Sequence, residues 1–352
     1  MREIAVFSGS AHPGLAAEIC ACLGVPLQPA TLRRFANDCL EVQLQSNCRE
    51  RDVFLIQPLA APVQEHLVEL LLMLDAARGA SAARVTAVIP HYAYARSDKK
   101  SMPRVSIGGR LVADLLVTAG ASRVLTMTLH SPQVHGFFSS PVDHQHALLE
   151  FADYVRERDL TGAVVVSPDL GNAKQASVLA RMLGLPVAAG AKVRHSDSQV
   201  TISAIIGEVA GRDVIVLDDE IARGTTIMEL LSVLRDRGAQ SVRIACTHGL
   251  FCDGALERIA ARPEVEEIVC TNTVPVPAST VSVGTAPAGT VPGSKAEAPY
   301  PPGAAAGPAA PDEDGVTAAK AKLHVISVAP ALAEAIRRIH EGESVSALFD
   351  PS

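Results

Sequence analysis

The stretch VLDDEIARGTT, residues 216–226, joins an apolar, β-branched run to an amphipathic repeat, and this junction constrains the fold more than any other feature of the chain. Before it, DVIVL (213–217) has the pattern of a short strand buried on both faces. After it, Ile227, Leu230, Leu231 and Leu234 recur at i, i+3, i+4 and i+7, which marks a helix ending near Gly238. Strand, polar loop, helix is the unit of an open parallel sheet. Ligands of such sheets bind beyond the carboxyl ends of strands, where helix N-termini offer unpaired N–H groups to anions. Asp218 and Asp219 would repel a phosphate directly and suit ribose hydroxyls, alone or through a metal. The simpler reading has Asp219 capping the helix and Asp218 solvated.

The same alternation runs through the 352 residues, enough for two domains with substantial cores, and the class is α/β. Strands are expected at 4–7, 53–56, 85–89 and 124–129, with helices at about 15–23, 63–78 and 108–119. A second series has strands at 163–167, 213–217 and 242–246, and helices at about 174–183 and after residue 226. The boundary between the halves falls near 141–150, giving units 1–145 and 146–273. From 274 to 321 the composition shifts to Ala, Pro, Gly, Ser, Thr and Val, which reads as a disordered insertion unable to repay its ordering entropy. The last unit, 322–352, returns to a strand and then a helix with Leu332, Ala335, Ile336 and Ile339 on one face.

A net charge of −7 argues against a general nucleic-acid binder while leaving room for a local cationic site. Seven cysteines without a C-x-x-C pair suggest reduced thiols rather than a disulfide or zinc framework. The opening MREIAVFSGS enters a strand with no apolar leader, and no apolar run is long enough to span a bilayer. A cytoplasmic protein without a membrane or nucleic-acid partner is expected.

Other polar groups recur at strand ends. His130 follows VLTMTL and Asp169 follows VVVSP, so each falls at a carboxyl edge like Asp218 and Asp219. A neutral imidazole and a carboxylate, completed by water and phosphate oxygens, could hold Mg2+, although histidine is an unusual ligand for that ion. Alone, His130 also suits a packed or capping role. IPHYAYARSDKK supplies Arg96, Asp98, Lys99 and Lys100, either as an ordinary charged loop or as a site for an adenine ring and phosphates. AKVRHSDSQ adds Lys192 and Arg194.

With these segments in view the chain resembles the ribose-phosphate diphosphokinase (phosphoribosyl pyrophosphate synthetase) family. The matching segments, in family order, are FSGSAHPGLA, RRFAND, ASAARVTAVIPHYAYARSDKK, TLHSPQVHGFFSSPVDH, VSPDLGNAK, LDDEIARGTT, CTHGLF, TNTVP and LAEAIRRIHEGESVSALF. The resemblance implies two doubly wound parallel-sheet domains of the phosphoribosyltransferase-like type. It implies transfer of the β,γ-diphosphoryl group of ATP to the C1 hydroxyl of ribose 5-phosphate, with Mg2+ as cofactor and a dimer-based, possibly hexameric homo-oligomer. By motif, Phe35, Asn37, Gln57, Arg96, Asp98 and His130 would line the ATP side. Asp169, Asp218, Asp219, Ala222, Arg223, Gly224, Thr225 and Thr226 would hold ribose 5-phosphate, and His130 and Asp169 would bind the metal. Lys192 and Arg194 would clamp the transferring group as catalytic residues. The chain departs from the family pattern at Cys39 (usually Glu), Thr128 (Asp), Asn172 (a second Gly) and Arg223 (Thr). These departures leave open a regulatory paralogue that binds a catalytic partner. A phosphoribosyltransferase is the third reading, though it would not need HYAYARSDKK or the doubled architecture.

Overall fold

The computed structural model describes residues 2–194, 200–276 and 313–348, with backbone alone at 192–194, 200–201, 313–316 and 347. The first half comprises β1 (Ile4–Ser8), α1 (Pro13–Leu23), β2 (Leu27–Gln28), β3 (Ala30–Arg34), β4 (Leu40–Leu44), β5 (Asp52–Ile56), α2 (Val63–Gly79), β6 (Arg84–Ile89), α3 (Gly108–Ala119), β7 (Arg123–Met127) and β8 (Val142–Gln145). The second comprises α4 (Leu148–Arg156), β9 (Val164–Ser167), α5 (Ala173–Leu183), β10 (Val187–Arg194), β11 (Val200–Ile206), β12 (Asp213–Ile221), α6 (Thr225–Asp236), β13 (Ser241–Gly249), α7 (Ala255–Ala260) and β14 (Val265–Thr271). The chain then adds α8 (Glu313–Lys322), β15 (Leu323–Ile326) and α9 (Ala329–Glu341).

Two parallel sheets result, ordered β2-β1-β5-β6-β7-β8 and β11-β10-β9-β12-β13-β14-β15, with only β11 antiparallel to its neighbour. β3 and β4 form a separate antiparallel hairpin. Successive strand residues face opposite ways, so each sheet buries both faces. In the first, Val6, Phe54, Ile56 and Val88 pack with Leu15 and Ile19 of α1, whereas Phe7, Val53, Leu55 and Ile89 pack beneath Leu70 and Leu74 of α2 and Leu116 of α3. In the second, Val164, Val166, Val214 and Val216 meet Leu230 and Leu234 of α6. Helices therefore cover both faces, as in a doubly wound fold.

The halves also share a core. Phe151 and Ala152 of α4, Leu179 of α5, and Leu332, Ala335 and Ile336 of α9 join Leu15 and Ile19 in one buried cluster with strand residues from both sheets. The C-terminal segment holds the two halves together: β15 extends the second sheet beside β14, while α9 lies on α1 of the first half. At the end of α9, Asp52 binds both Arg84 and His340, and Arg84 Nη2 donates to Ile339 O (2.9 Å).

Two expectations need correction. The strand expected at 213–217 runs on to Ile221, because parallel pairing with β13 continues through Glu220↔His248 and Ile221↔Gly249. The insertion expected to be disordered from 274 to 321 becomes helical at Glu313. Ala319 is fully buried there, and Lys322 Nζ donates to Ala260 O and Arg262 O (2.7 and 3.1 Å), satisfying carbonyls at the end of α7. Composition averaged over the whole stretch concealed this small-residue face. Residues 277–312 lie outside those described.

Candidate active site

The second sheet reverses its strand order between β9 and β12, and there a crevice opens. β9 pairs with β12 only as far as Val216↔Val166, whereas β13 accompanies β12 to its end. One edge of β12 is therefore bare beyond Val216, and Asp218, Asp219 and Glu220 line it. The first half supplies the opposite wall: Arg96 and Asp98 beyond β6, and His130 beyond β7. A cleft of about 870 Å³ results, with Asp169 and the 222–226 loop also on its lining.

The acidic groups at its floor are mutually unfavourable. Burial, then the nearby charges of Asp219 and Asp169, push the Asp218 carboxyl well above the usual carboxylate range. Burial acts the same way on Asp219, but its hydrogen bond and charge contact with His130 outweigh it, and Asp219 titrates below that range. His130 shows the reciprocal effect: burial lowers its pKa, Asp219 raises it, and the net shift is upward. Asp218 Oδ1 also accepts from Asp219 N (3.0 Å). Neither acid caps α6. That helix starts after Gly224, whose φ of 71° lies in the left-handed region and whose added Cβ would sit 3.0 Å from Ile259 Cδ1. The N-terminal amides of α6 open beside Thr225 and Thr226 on the cleft wall.

Asp169 closes its own turn, with Oδ1 accepting from Gly171 N and Asn172 N (2.9 and 3.2 Å). Asn172 Nδ2 donates to Leu217 O (3.0 Å), which ties this turn to the acidic strand. Arg223 pairs through Nε with Asp253 Oδ2 (3.0 Å), and both line the cleft. Among the described residues no three His, Cys, Asp or Glu side chains gather closely enough to hold a metal unaided. The donor set still fits a hard dication: Asp169, Asp218 and Asp219 lie on one wall, burial and the charges of the other two hold the Asp218 pKa high, and Mg2+ normally takes one or two carboxylates and completes its shell with water and phosphate oxygens.

Arg96, Asp98, His130, Asp169, Asp218, Asp219, Ala222, Arg223, Gly224, Thr225 and Thr226 thus share one cleft. Gln57 does not reach it. Its carboxamide is fully buried, accepting from Ala11 N (3.0 Å) and donating to Glu69 Oε2 (2.7 Å) and His66 O (3.3 Å), so the expectation that it faces ATP is withdrawn. It plugs the crevice between β1 and β5, where an added Cβ on Gly9 would lie 2.3 Å from its Oε1. Phe35 and Asn37 stand on the β3–β4 hairpin and do not line the cleft of their own chain. Lys192 and Arg194 are on β10, and their side chains lie outside the described residues. Glu220 and Asp253 line the cleft without having been singled out from the sequence. Glu220 directly follows the acidic pair and was visible as a third acid, whereas CDGA gave no sign of Asp253.

Beneath the cleft, His248 of β13 joins the two halves. Its Nε2–H donates to Thr128 O (3.0 Å) and its Nδ1 accepts from the Thr273 hydroxyl (2.9 Å). Thr128 has a φ of 43°, which for a β-branched residue stores about 1–2 kcal/mol of strain, and His248 and Gln145 O hold it there. Burial, then the neighbouring His91, lowers the His248 pKa to about 4. An unfolded imidazole titrates near 6.5, so the stabilisation from neutral His248 is complete above about pH 6.5 and is lost as pH falls toward 4, about 3 kcal/mol in all. The melting-temperature difference between the wild type and His248→Gln is expected to shrink over that window. A constant difference from pH 7 to 4 would refute the assignment.

The chain is similar to known proteins over almost its whole length. Residues 4–120 match the model of the N-terminal domain of ribose phosphate pyrophosphokinase, and residues 195–284 match that of the phosphoribosyl synthetase-associated domain. A provisionally named ribose-phosphate pyrophosphokinase of Streptomyces coelicolor is 64% identical over 350 residues, covering 99% of this chain and 98% of its own. The ribose-phosphate pyrophosphokinase of Deinococcus radiodurans is 45% identical, with 98% and 97% covered. The crystal structure of phosphoribosylpyrophosphate synthetase from Mycobacterium smegmatis is similar at a TM-score of 0.80 and 36% identity, over 97% of this chain and 100% of that one.

Proposed function

The chain belongs to the ribose-phosphate pyrophosphokinase family, and from that membership we infer that it transfers the β,γ-diphosphoryl group of ATP to the C1 hydroxyl of ribose 5-phosphate, releasing AMP and phosphoribosyl pyrophosphate. The observation that carries this reading is the shared cleft, which sets an acidic strand end and a helix N-terminus opposite Arg96 and His130. Asp218 and Asp219 hold the ribose hydroxyls. The amides of Gly224, Thr225 and Thr226, with Ala222 and Arg223, cradle the 5-phosphate. Arg96, Asp98 and His130 face the nucleotide. His130 and Asp169 would hold Mg2+, which when bound would offset charge on the transferring phosphoryl oxygens. Lys192 and Arg194 clamp the diphosphoryl group as it moves.

Purified protein with ATP, ribose 5-phosphate and Mg2+ is expected to form AMP in a coupled assay, and absence of magnesium-dependent AMP would overturn the reading. We place the enzyme in the cytoplasm; no helix among the described residues is long and apolar enough to cross a membrane. A homo-oligomer is supported by Leu32, Phe35, Val68, Leu111 and Leu115, large apolar side chains exposed on the β3–β4 hairpin, α2 and α3.

Arg223 gives a sharper test. In the ligand-free protein its Nε pairs with Asp253, with 63% of its side chain exposed, and a sugar phosphate at the α6 N-terminus competes with Asp253 for the guanidinium. Arg223→Thr is expected to raise the KM for ribose 5-phosphate several-fold, roughly 1 kcal/mol, with little change for ATP. Salt should narrow the gap. An unchanged sugar-phosphate KM at low ionic strength would leave the backbone cradle as the whole phosphate site.

A further inference from the structure

Glu220, like Asp219 with His130, turns its carboxylate toward the first half of the chain. Its side chain is only 7% exposed. Oε1 lies 3.1 Å from Arg96 Nε, and Oε2 lies 3.3 Å from His91 Nε2. Burial alone would raise its pKa, but the hydrogen bond from His91 and the charge of Arg96 bring it below the usual range, so a full negative charge is held at the seam. His91 is itself fixed: Nδ1 is 3.1 Å from Leu59 O, and its ring lies against His248 with centroids 4.7 Å apart. The carboxylate therefore sits on a rigid support.

Arg96 is different in kind. It ends the short 3₁₀ turn Ala93–Arg96, and 46% of its side chain is exposed to the cleft. A long guanidinium side chain at such a position samples many rotamers unless something holds it, and each one frozen on binding weakens affinity. The contact from Glu220 uses Nε, the nitrogen nearest the chain. Nη1 and Nη2, the outer prongs of the fork, are the groups that address an anion bidentately.

We propose that Glu220 is a positioning residue for the nucleotide: from the strand that carries the ribose-binding acids, it reaches across the seam and sets the orientation in which Arg96 meets the phosphates of ATP. The proposal rests on the reading that Arg96 faces the nucleotide. It also joins the two half-sites mechanically, because β12 bears Asp218 and Asp219 immediately before Glu220.

The backbone position supplies the control. General damage from a substitution at Glu220 falls first on its neighbours Asp218 and Asp219, and so on the KM for ribose 5-phosphate and on the melting temperature. Loss of positioning falls on ATP. Glu220→Ala is expected to raise the KM for ATP, and the dissociation constant for ATP measured by calorimetry, about tenfold, with the ribose 5-phosphate KM changed less than about twofold. Glu220→Gln keeps the shape and one oxygen acceptor, and should recover part of the loss. Arg96→Ala and the double variant Arg96→Ala/Glu220→Ala should show the same ATP affinity, because Glu220 acts only through Arg96. An unchanged ATP affinity in Arg96→Ala would overturn the nucleotide-side reading of Arg96. A weakened Arg96→Ala beside an unaltered Glu220→Ala, additive losses in the double variant, or a Glu220→Ala defect confined to ribose 5-phosphate would overturn the positioning role alone.

Discussion

Asp218→Asn is expected to raise the melting temperature of the ligand-free protein while lowering kcat/KM by about a hundredfold or more. Both effects follow from one arrangement. Asp218 is half-buried, and its carboxyl titrates high because burial and the charges of Asp219 and Asp169 all oppose ionisation. At neutral pH this crowding destabilises the empty cleft, and an amide of the same shape removes it. The amide oxygen still accepts from Asp219 N, as Asp218 Oδ1 does, so no buried donor is orphaned. The gain should appear as an upward shift of the melting temperature. The lost carboxylate is the one that the substrate hydroxyls and the cation would have rewarded, so activity falls as stability rises. Thermal melts without ligand and the AMP-forming assay together test this. A destabilised variant would mean that the acids are satisfied structural groups, and a stabilised but fully active one would remove Asp218 from the site.

The same residues show how far the sequence could be read. The placement of Asp169, Asp218 and Asp219 on one crevice was legible, because apolar runs and helical repeats locate strand ends and strand ends locate ligands. The end of β12 was not. Charged residues look like a loop, yet Asp218 to Ile221 stay paired to β13 while the opposite edge, past Val216, lies bare. Whether a polar residue terminates a strand depends on its neighbour's length, which is a tertiary fact. Gln57 failed for a related reason: the motif puts it at a strand end, but the crevice between β1 and β5 is closed by Glu69 reaching from α2, seventeen residues after β5 begins.

A segment at 322–352 that returns to a strand and a helix was legible, but sequence order does not report where a late segment packs. Leu332, Ala335 and Ile336 carry a clear helical stripe, but the stripe does not say that its partners include Leu15 and Ile19 of α1, some three hundred residues earlier in the chain. The pairs Arg96–Glu220 and Arg223–Asp253 are long-range in the same sense. Local pattern identifies what a residue can do, and the fold decides what it faces.

The end of β10, which bears the proposed clamp residues Lys192 and Arg194, is where those two levels meet. β10 runs parallel to β9 and stays paired with it only to Ala189↔Ser167, but continues to Arg194 as a hairpin with β11. Five residues therefore extend past the carboxyl edge of β9, about 16 Å of strand on the side where Asp169 and the cleft lie. Gly190 marks where the arm leaves the sheet: an added Cβ would lie 2.5 Å from Pro168 O, so the arm is pressed against the turn that bears Asp169. The pairing shifts register between Ala191 and Lys192, the kind of bulge that re-aims a strand beside an active site. On this geometry Lys192→Ala and Arg194→Ala are each expected to lower kcat about a hundredfold, near 3 kcal/mol, with the KM of either substrate changed only a few-fold. The asymmetry arises because the charge already on the phosphoryl oxygens shifts in position and distribution as the diphosphoryl group transfers, so cations set for that arrangement stabilise the transition state more than the bound substrates. Melting temperatures should stay near that of the wild type, in contrast to Asp218→Asn, since residues 190–194 extend past the last pairing with β9. Single-turnover measurement at saturating ATP and ribose 5-phosphate separates the chemical step from binding. An unaltered single-turnover rate in both variants would remove the arm from the mechanism, and a loss confined to KM would make it a binding flap rather than a clamp on the moving group.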